Sequence, residues 1–182
     1  MQTFITTWDV SILDFIQAHL RCAFLDYFMP LVSALGNHGE IWIVAGLLLC
    51  LTKKYRKQGI LVLVGLLAGY ICGNILLKNI IARPRPCWIY PDIALLIPIP
   101  QDFSFPSGHT LSSFIGAILL TKTNKRFGYG AIPLAILMAF SRLYLYVHYP
   151  TDILGGVILA AVISFAVWRI GNRIPRKQNP VS

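Results

Sequence analysis

Four short stretches concentrate the polar chemistry of an otherwise apolar chain: Lys78 with Arg83-Pro84-Arg85-Pro86, Ser104 through Thr110, Ser141-Arg142, and His148 through Asp152. Lys78, Arg85 and Arg142 are cations without a matching cluster of acids, which points to an oxyanion ligand. Arginine suits phosphate because its planar fork donates two parallel hydrogen bonds. Pro106-Ser107-Gly108-His109 reads as a helix start, in which Ser107 caps, Gly108 lets a ligand approach the backbone, and free N–H groups face outward. Such a terminus adds partial positive charge to the same place. Pro150 likewise fits a first helical turn. Together these features describe a cradle for phosphate.

Two histidines and an aspartate add reactivity. Neutral imidazole can attack phosphorus, cationic imidazole can donate a proton, and its pKa lies near working pH. His148 and Asp152 are four residues apart, so one helical turn can bring the carboxylate to a ring nitrogen, orienting the ring. His109 would then protonate the leaving oxygen. Phosphoryl transfer needs mainly positioning and charge neutralisation, which three cations and a helix terminus can supply without a metal or cofactor. His19 and His38 read as structural or interfacial. Arg83 has the weakest case of the basic residues on this face, since lipid headgroups would satisfy it.

The elements that must position these residues are membrane helices. The chain has 182 residues, 56% hydrophobic and only 13% charged, against about 25% charged in a soluble domain. Disorder is excluded, and an ordinary soluble enzyme of this size could not bury so much apolar surface. The net charge of +9 does not indicate nucleic acid, because the basic residues punctuate apolar runs instead of lining a hydrophilic face. The spacing predicts an all-α polytopic transmembrane bundle. Its five spans fall near 41–52, 59–81, 105–121, 128–147 and 153–170, with six if Cys22–Leu35 also crosses. Trp8–Leu20 mixes apolar and polar residues as an amphipathic helix lying on the membrane does. One domain, 1–182, divides into N-terminal interfacial helices (1–38), a transmembrane catalytic core (39–172) and a basic cytoplasmic tail (173–182).

Charge then sets orientation. Five alternating spans put Lys53, Lys54, Arg56, Lys57, Lys122, Lys125, Arg126, Arg169, Arg173, Arg176 and Lys177 on one side, and all seven acids on the other. The positive-inside rule makes the first side cytoplasmic, together with the C-terminus. All four polar stretches then share the extracytoplasmic face. Gly65, Gly69 and Gly73, and also Gly155 and Gly156, read as close helix contacts. The four cysteines (Cys22, Cys50, Cys72, Cys87) lack metal-ligand spacing and read as packing residues. No cleaved signal is evident, because Asp9 and Asp14 precede the first basic residue, Arg21. Between Ala82 and Ser104, five prolines forbid regular helix or central strand, and the apolar content suits an interfacial loop. Trp88–Ile99 could gate lipid access.

Lys78, six residues and Arg85-Pro86, then Pro106-Ser107-Gly108-His109, then Ser141-Arg142, five residues, His148, three residues and Asp152 resemble the three signatures of the type 2 phosphatidic acid phosphatase superfamily. The resemblance implies a metal-independent helical enzyme that removes phosphate from a membrane lipid phosphate or diphosphate. By carry-over, His148 is the nucleophile that forms a phosphohistidine, Asp152 its orienting partner and His109 the general acid. Lys78, Arg85, Ser107, Gly108 and Arg142 would bind phosphate. The short chain is similar to bacterial members of the plasma or inner membrane. The leading expected substrate is undecaprenyl diphosphate, with phosphatidylglycerophosphate, phosphatidic acid and lipid A as alternatives. A phospholipid-binding transporter or scaffold is the non-enzymatic alternative, but it leaves the histidines without a purpose.

Overall fold

The computed structural model describes residues 2–173, with side chains from residue 7 onward, and is helical with no strand among the described residues. Arg176 and Lys177 of the expected basic tail lie outside them. The helices are α1 (Gln2–His19), α2 (Ala23–Leu35), α3 (Glu40–Leu51), α4 (Arg56–Gly69), α5 (Lys78–Ile81), α6 (Pro86–Ile89), α7 (Gly108–Thr123), α8 (Lys125–Tyr144) and α9 (Pro150–Arg173). Between α4 and α5 the helix widens into a π-helical stretch over Tyr70–Leu77, which period counting in the sequence does not reveal.

The glycine spacing fulfils its expected purpose. A Cβ on Gly65, Gly69 or Gly73 would lie 2.8, 2.5 or 2.3 Å from Leu119, Ile115 or Leu111, all on α7. On α9, Gly155 makes room for Phe105, and Gly156 lies against Ser107 and Thr110. Helix α7 is therefore the central post, with α4, α8 and α9 drawn close around it. Without a hydrophobic drive between helices in lipid, such small-residue contacts gain dispersion energy instead. Leu111, Ile115, Met138, Ala135 and Ala160 are buried together at this junction. Trp42 of α3 lies over Gly116 and donates its indole N–H to Ser113 Oγ at 3.1 Å.

Among the described residues, three helical stretches are long and apolar enough to cross a membrane: Arg56–Ile89, Lys125–Tyr144 and Pro150–Arg173. A fourth candidate is a pair, α2 with the stretch Asn37–Leu51, bent by 43°. The expectation treated Cys22–Leu35 as separate from the span near 41–52, whereas the chain joins them across Gly36–Gly39, where His38 and Gly39 adopt positive φ. Helix α7 has only 16 residues, shorter than a span normally requires. Outward-facing Leu48, Leu51, Leu67, Ile158 and Phe165 form an apolar jacket.

Two expectations change in detail. Inside the proline-rich connection, Pro86 starts one turn of helix, α6, where its missing N–H costs nothing. Helix α1 is amphipathic in an unexpected sense. Trp8, Ile12 and Phe15 are exposed, while Asp9 is buried with Leu13 and Ile16. Asp14 accepts from the Tyr146 hydroxyl at 2.9 Å, and Gln17 donates to Tyr144 O at 2.8 Å. The polar residues of α1 thus face protein partners that the sequence pattern cannot display.

Candidate active site

His148 sits in a short connection that leaves α8 after Tyr144 and enters α9 at Pro150, as expected for that proline. The connection is anchored on both flanks. Leu145 and Val147 pack with Cys87 of α6, and Tyr146 and Tyr149 pack with Leu13 of α1. Its ring is 1% exposed. Nε2 lies 3.0 Å from Arg85 Nη1, which also donates to Val147 O at 2.7 Å. Arginine can only donate, so Nε2 accepts, and the proton of the neutral ring sits on Nδ1. Nδ1 faces Asp152 Oδ2 and Ser104 Oγ, each at 3.4 Å. Burial, then the charges of Arg85, Arg142 and Lys78, hold His148 well below the ordinary imidazole range. The ring is neutral, with its lone pair on the nitrogen away from Asp152.

Asp152 is fully buried and richly bonded. Oδ2 accepts from Tyr149 N at 2.8 Å and from the Ser104 hydroxyl, and Oδ1 accepts from Arg83 Nη1 at 2.7 Å. This corrects the reading of Arg83 as a headgroup contact. Its guanidinium is turned inward, 4.0 Å over the Tyr149 ring, and is ion-paired to Asp152 and Asp9.

The three expected cations converge, but not on an acid-free space. Asp102 pairs with two of them: Oδ1 accepts from Arg85 Nη2 at 2.7 Å, and Oδ2 accepts from Lys78 Nζ. Arg85 Nε also donates to Asp102 O at 2.6 Å. Burial opposes ionisation of Asp102, yet Lys78 and Arg85 outweigh it and hold the carboxyl below the usual carboxylate range. Arg142 donates from Nη1 to Ser33 Oγ, and its buried Nε has no partner among the described residues. Lys78, Arg85 and Arg142 are each buried, at 5%, 2% and 4% exposure. Three desolvated cations against one half-exposed carboxylate leave positive charge for an anion to neutralise.

His109 occupies the first turn of α7, with Nε2 3.1 Å from Asn37 Oδ1. Its ring passes Gly36, where a Cβ would lie 2.9 Å from Cδ2, so the break between α2 and α3 accommodates this histidine. Ser107 caps α7, accepting from Thr110 N at 3.4 Å, as the sequence predicts. Its side chain is fully buried, so it offers a ligand no exposed hydroxyl. Gly108 lies against Asn74 of the π-helical stretch.

Lys78, Arg85, Gly108, His109, Arg142 and His148 all line one cleft of about 1030 Å³. Ser107 and Asp152 stand behind its wall. Beyond the polar end, the cleft continues along Ile43, Leu63, Leu66 and Leu67, and Ile97–Pro100 of the long connection borders it. The arrangement can grip a phosphate, present a lone pair to it and place a second imidazole nearby, with an apolar groove leading away.

Residues 58–176 match the PAP2 superfamily. The chain belongs to that family. It is 34% identical over 160 residues to an undecaprenyl-diphosphatase of Sulfolobus acidocaldarius, covering 87% of this chain and 76% of the relative. It is 32% identical over 148 residues to undecaprenyl-diphosphatase BcrC of Bacillus subtilis, covering 81% and 76%. Among solved structures, the transmembrane PAP2 type phosphatidylglycerolphosphate phosphatase of Bacillus subtilis superposes with a TM-score of 0.76 at 27% identity, covering 96% of this chain and 89% of that one. Aquifex aeolicus LpxE shares the fold, with a TM-score of 0.73 at 23% identity over 89% and 95%. This PAP2 chain is an integral membrane protein.

Sequence reasoning gave no site role to Asp102, Arg83, Asn37 or Asp9. For Asp102 a signal existed: it and Asp92 are the only charged residues between Arg85 and His109, and a charge in an apolar membrane segment needs a reason. Asn37 and Asp9 carry no comparable sign.

Proposed function

We propose that this protein releases inorganic phosphate from undecaprenyl diphosphate, leaving the monophosphate, through a phosphohistidine on His148. The chain is a lipid phosphate hydrolase of the PAP2 superfamily. The observation that carries the mechanism is the orientation of His148, with a carboxylate on the Nδ1 side and a cation-lined cleft on the Nε2 side. The terminal phosphate displaces Asp102 from Lys78 and Arg85 and takes their donors together with Arg142, whose buried Nε awaits an acceptor. Gly108 admits it to the start of α7, and Ser107 holds that turn by its cap.

As the phosphate takes the Arg85 Nη1 donor from His148 Nε2, the freed Nε2 lone pair attacks the terminal phosphorus and the bond to the bridging oxygen breaks. His109 gives its proton to that oxygen, which leaves on the lipid monophosphate. Asp152 stabilises the imidazolium-like charge that develops on His148. Water then attacks the phosphohistidine, with neutral His109 accepting its proton. The P–N bond breaks, and inorganic phosphate leaves with both histidines restored. Covalent attack, proton transfer and charge neutralisation are all supplied by this chain's own side chains.

The relatives' names and the apolar groove that continues from the polar cleft favour a polyprenyl diphosphate. A second reading, phosphatidylglycerophosphate, is supported by the superposition on the Bacillus subtilis phosphatase. A panel of lipid phosphates offered to the purified enzyme tests this. A kcat/KM for undecaprenyl diphosphate at least about tenfold above the others supports the reading, and preference for phosphatidylglycerophosphate overturns it.

For topology, we read residues 1–182 as one domain with five crossings, counting α2 with α3 as one bent crossing and α7 as a short one. At 1.5 Å per residue, α7 is about 24 Å long, and the extended chain before Ser107 completes the passage. Helix α1 lies at the extracytoplasmic surface, where its exposed Trp8 and Phe15 suit the interface. The active site then faces outward and the C-terminus lies in the cytoplasm. Labelling of a single cysteine placed at Lys54 or at Gln101 by a membrane-impermeant maleimide checks this: only the second should react in intact cells.

A further inference from the structure

Asp9 belongs to the N-terminal helix, 143 positions before Asp152, yet it is 1% exposed and directed at the same arginine. Its Oδ1 accepts from Thr151 N at 3.0 Å, and its Oδ2 accepts from Thr151 Oγ1 at 2.7 Å and from Arg83 Nη2 at 2.6 Å. Through Nη1, Arg83 donates to Thr151 Oγ1 at 2.6 Å and to Asp152 Oδ1 at 2.7 Å. The two ends of one planar fork therefore hold carboxylates from opposite ends of the chain, and the Tyr149 ring lies beneath it.

We propose that Asp9 and Arg83 are positioning residues for the reaction, a clamp that fixes the Asp152 carboxylate so that Oδ2 faces His148, making α1 a working part of the active site. The inference rests on the reading of His148 and Asp152 as nucleophile and orienting acid. Asp152 has two equivalent oxygens and could turn either to the ring. Arg83 takes Oδ1, while Tyr149 N and Ser104 define the direction of Oδ2. Arg83 can do this only if it is itself immobile. One hydrogen bond would let the guanidinium swing, whereas two bonds through different nitrogens, with a ring below, fix its plane. Asp9 supplies the second bond and also ties the backbone at Thr151, one residue from Asp152. An ammonium group could pair with either carboxylate but has no planar fork to span both.

The test is a double-mutant cycle on the full chain purified in detergent, with phosphate release from undecaprenyl diphosphate giving kcat and KM. Asp9→Asn should lower kcat about tenfold with KM within about twofold, the size typical of a partner that orients a reacting group's own partner. In an Asp152→Asn background the same change should cost less than about twofold, because residues acting through one another are not additive. Arg83→Lys, which keeps the charge, should lower kcat by a similar factor and provides the same reading if Asp9→Asn does not fold. Wild-type kcat in Asp9→Asn, or in Arg83→Lys where that variant stands in, overturns the inference. An undiminished penalty in the Asp152→Asn background does so as well, since damage to packing would simply multiply. Asp152→Asn alone separates the two readings. If it retains full turnover, the nucleophile pair itself is wrong; if it is impaired while Asp9→Asn is not, only the clamp is.

Discussion

The two histidines of the cleft are held in opposite ways. His148 is in a closed connection between two packed helices, with a guanidinium at one ring nitrogen and a carboxylate and hydroxyl at the other. His109 stands on the first turn of α7 beside the break in the α2–α3 pair, and its Nε2 meets one neutral partner, Asn37. No ion pair involves His109 among the described residues. In the proposed reaction His148 as nucleophile must present one lone pair at one angle, so rigidity and a fixed tautomer serve it. In the same proposal His109 as proton donor must follow the leaving oxygen and reload, so a single exchangeable partner suffices. The difference comes from location, since a residue between two packed helices is held on both flanks and one on a helix's first turn has a free side.

This contrast can be broken or sharpened by experiment. Replacing His148 by alanine should abolish turnover, with a loss of about 10³-fold or more in kcat; single-turnover phosphate release checks it, and normal release would end its role as nucleophile. His109→Gln should cost about 10²- to 10³-fold with a lipid leaving group. That deficit should shrink for an aryl phosphate whose leaving oxygen needs no proton, a difference visible in kcat for the two substrates. An equal loss on both would put His109 with the binding residues instead.

A charge change probes the rigid histidine through the acidic limb of the pH profile. Arg142→Gln removes a cation that disfavours protonated His148, so the pKa of His148 should rise. The acidic limb of kcat/KM should move to higher pH by roughly half a unit to one unit, with activity lost sooner as pH falls. The lower plateau expected from weaker phosphate binding does not affect the position of that limb. The smallest effect should come from Asn37→Ala, about fivefold in kcat, matching the ~1 kcal/mol of one hydrogen bond. A loss as large as that of His109→Gln would mean that His109 is fixed as firmly as His148.

The candidate site was legible because its residues sit at short, regular separations. His148 and Asp152 share one helical turn, Ser107 precedes the helix it caps, and Gly65, Gly69 and Gly73 fall on one face of α4 and its continuation. Hydropathy likewise exposed the apolar segments. It did not foresee that α2 and α3 form one bent pair, because a break at Gly36–Gly39 looks like an ordinary loop until His109 is seen filling the space beside it. Arg83 was misread for a related reason. An arginine near a membrane surface has a plausible partner in any headgroup, and its actual partners are 74 residues upstream and 69 downstream.

By itself, then, the sequence determined the helical membrane character, the three cations that meet at the cleft and the pairing of His148 with Asp152. Each follows from composition or from separations within a helical turn or a single motif. Only the tertiary structure decided that Asp102 pairs with Lys78 and Arg85, that Asn37 meets His109, and that Asp9 of the first helix shares Arg83 with Asp152. Those contacts join residues between 17 and 74 positions apart. At such separations the chain can bring almost any pair together, and helix packing selects which pairs meet.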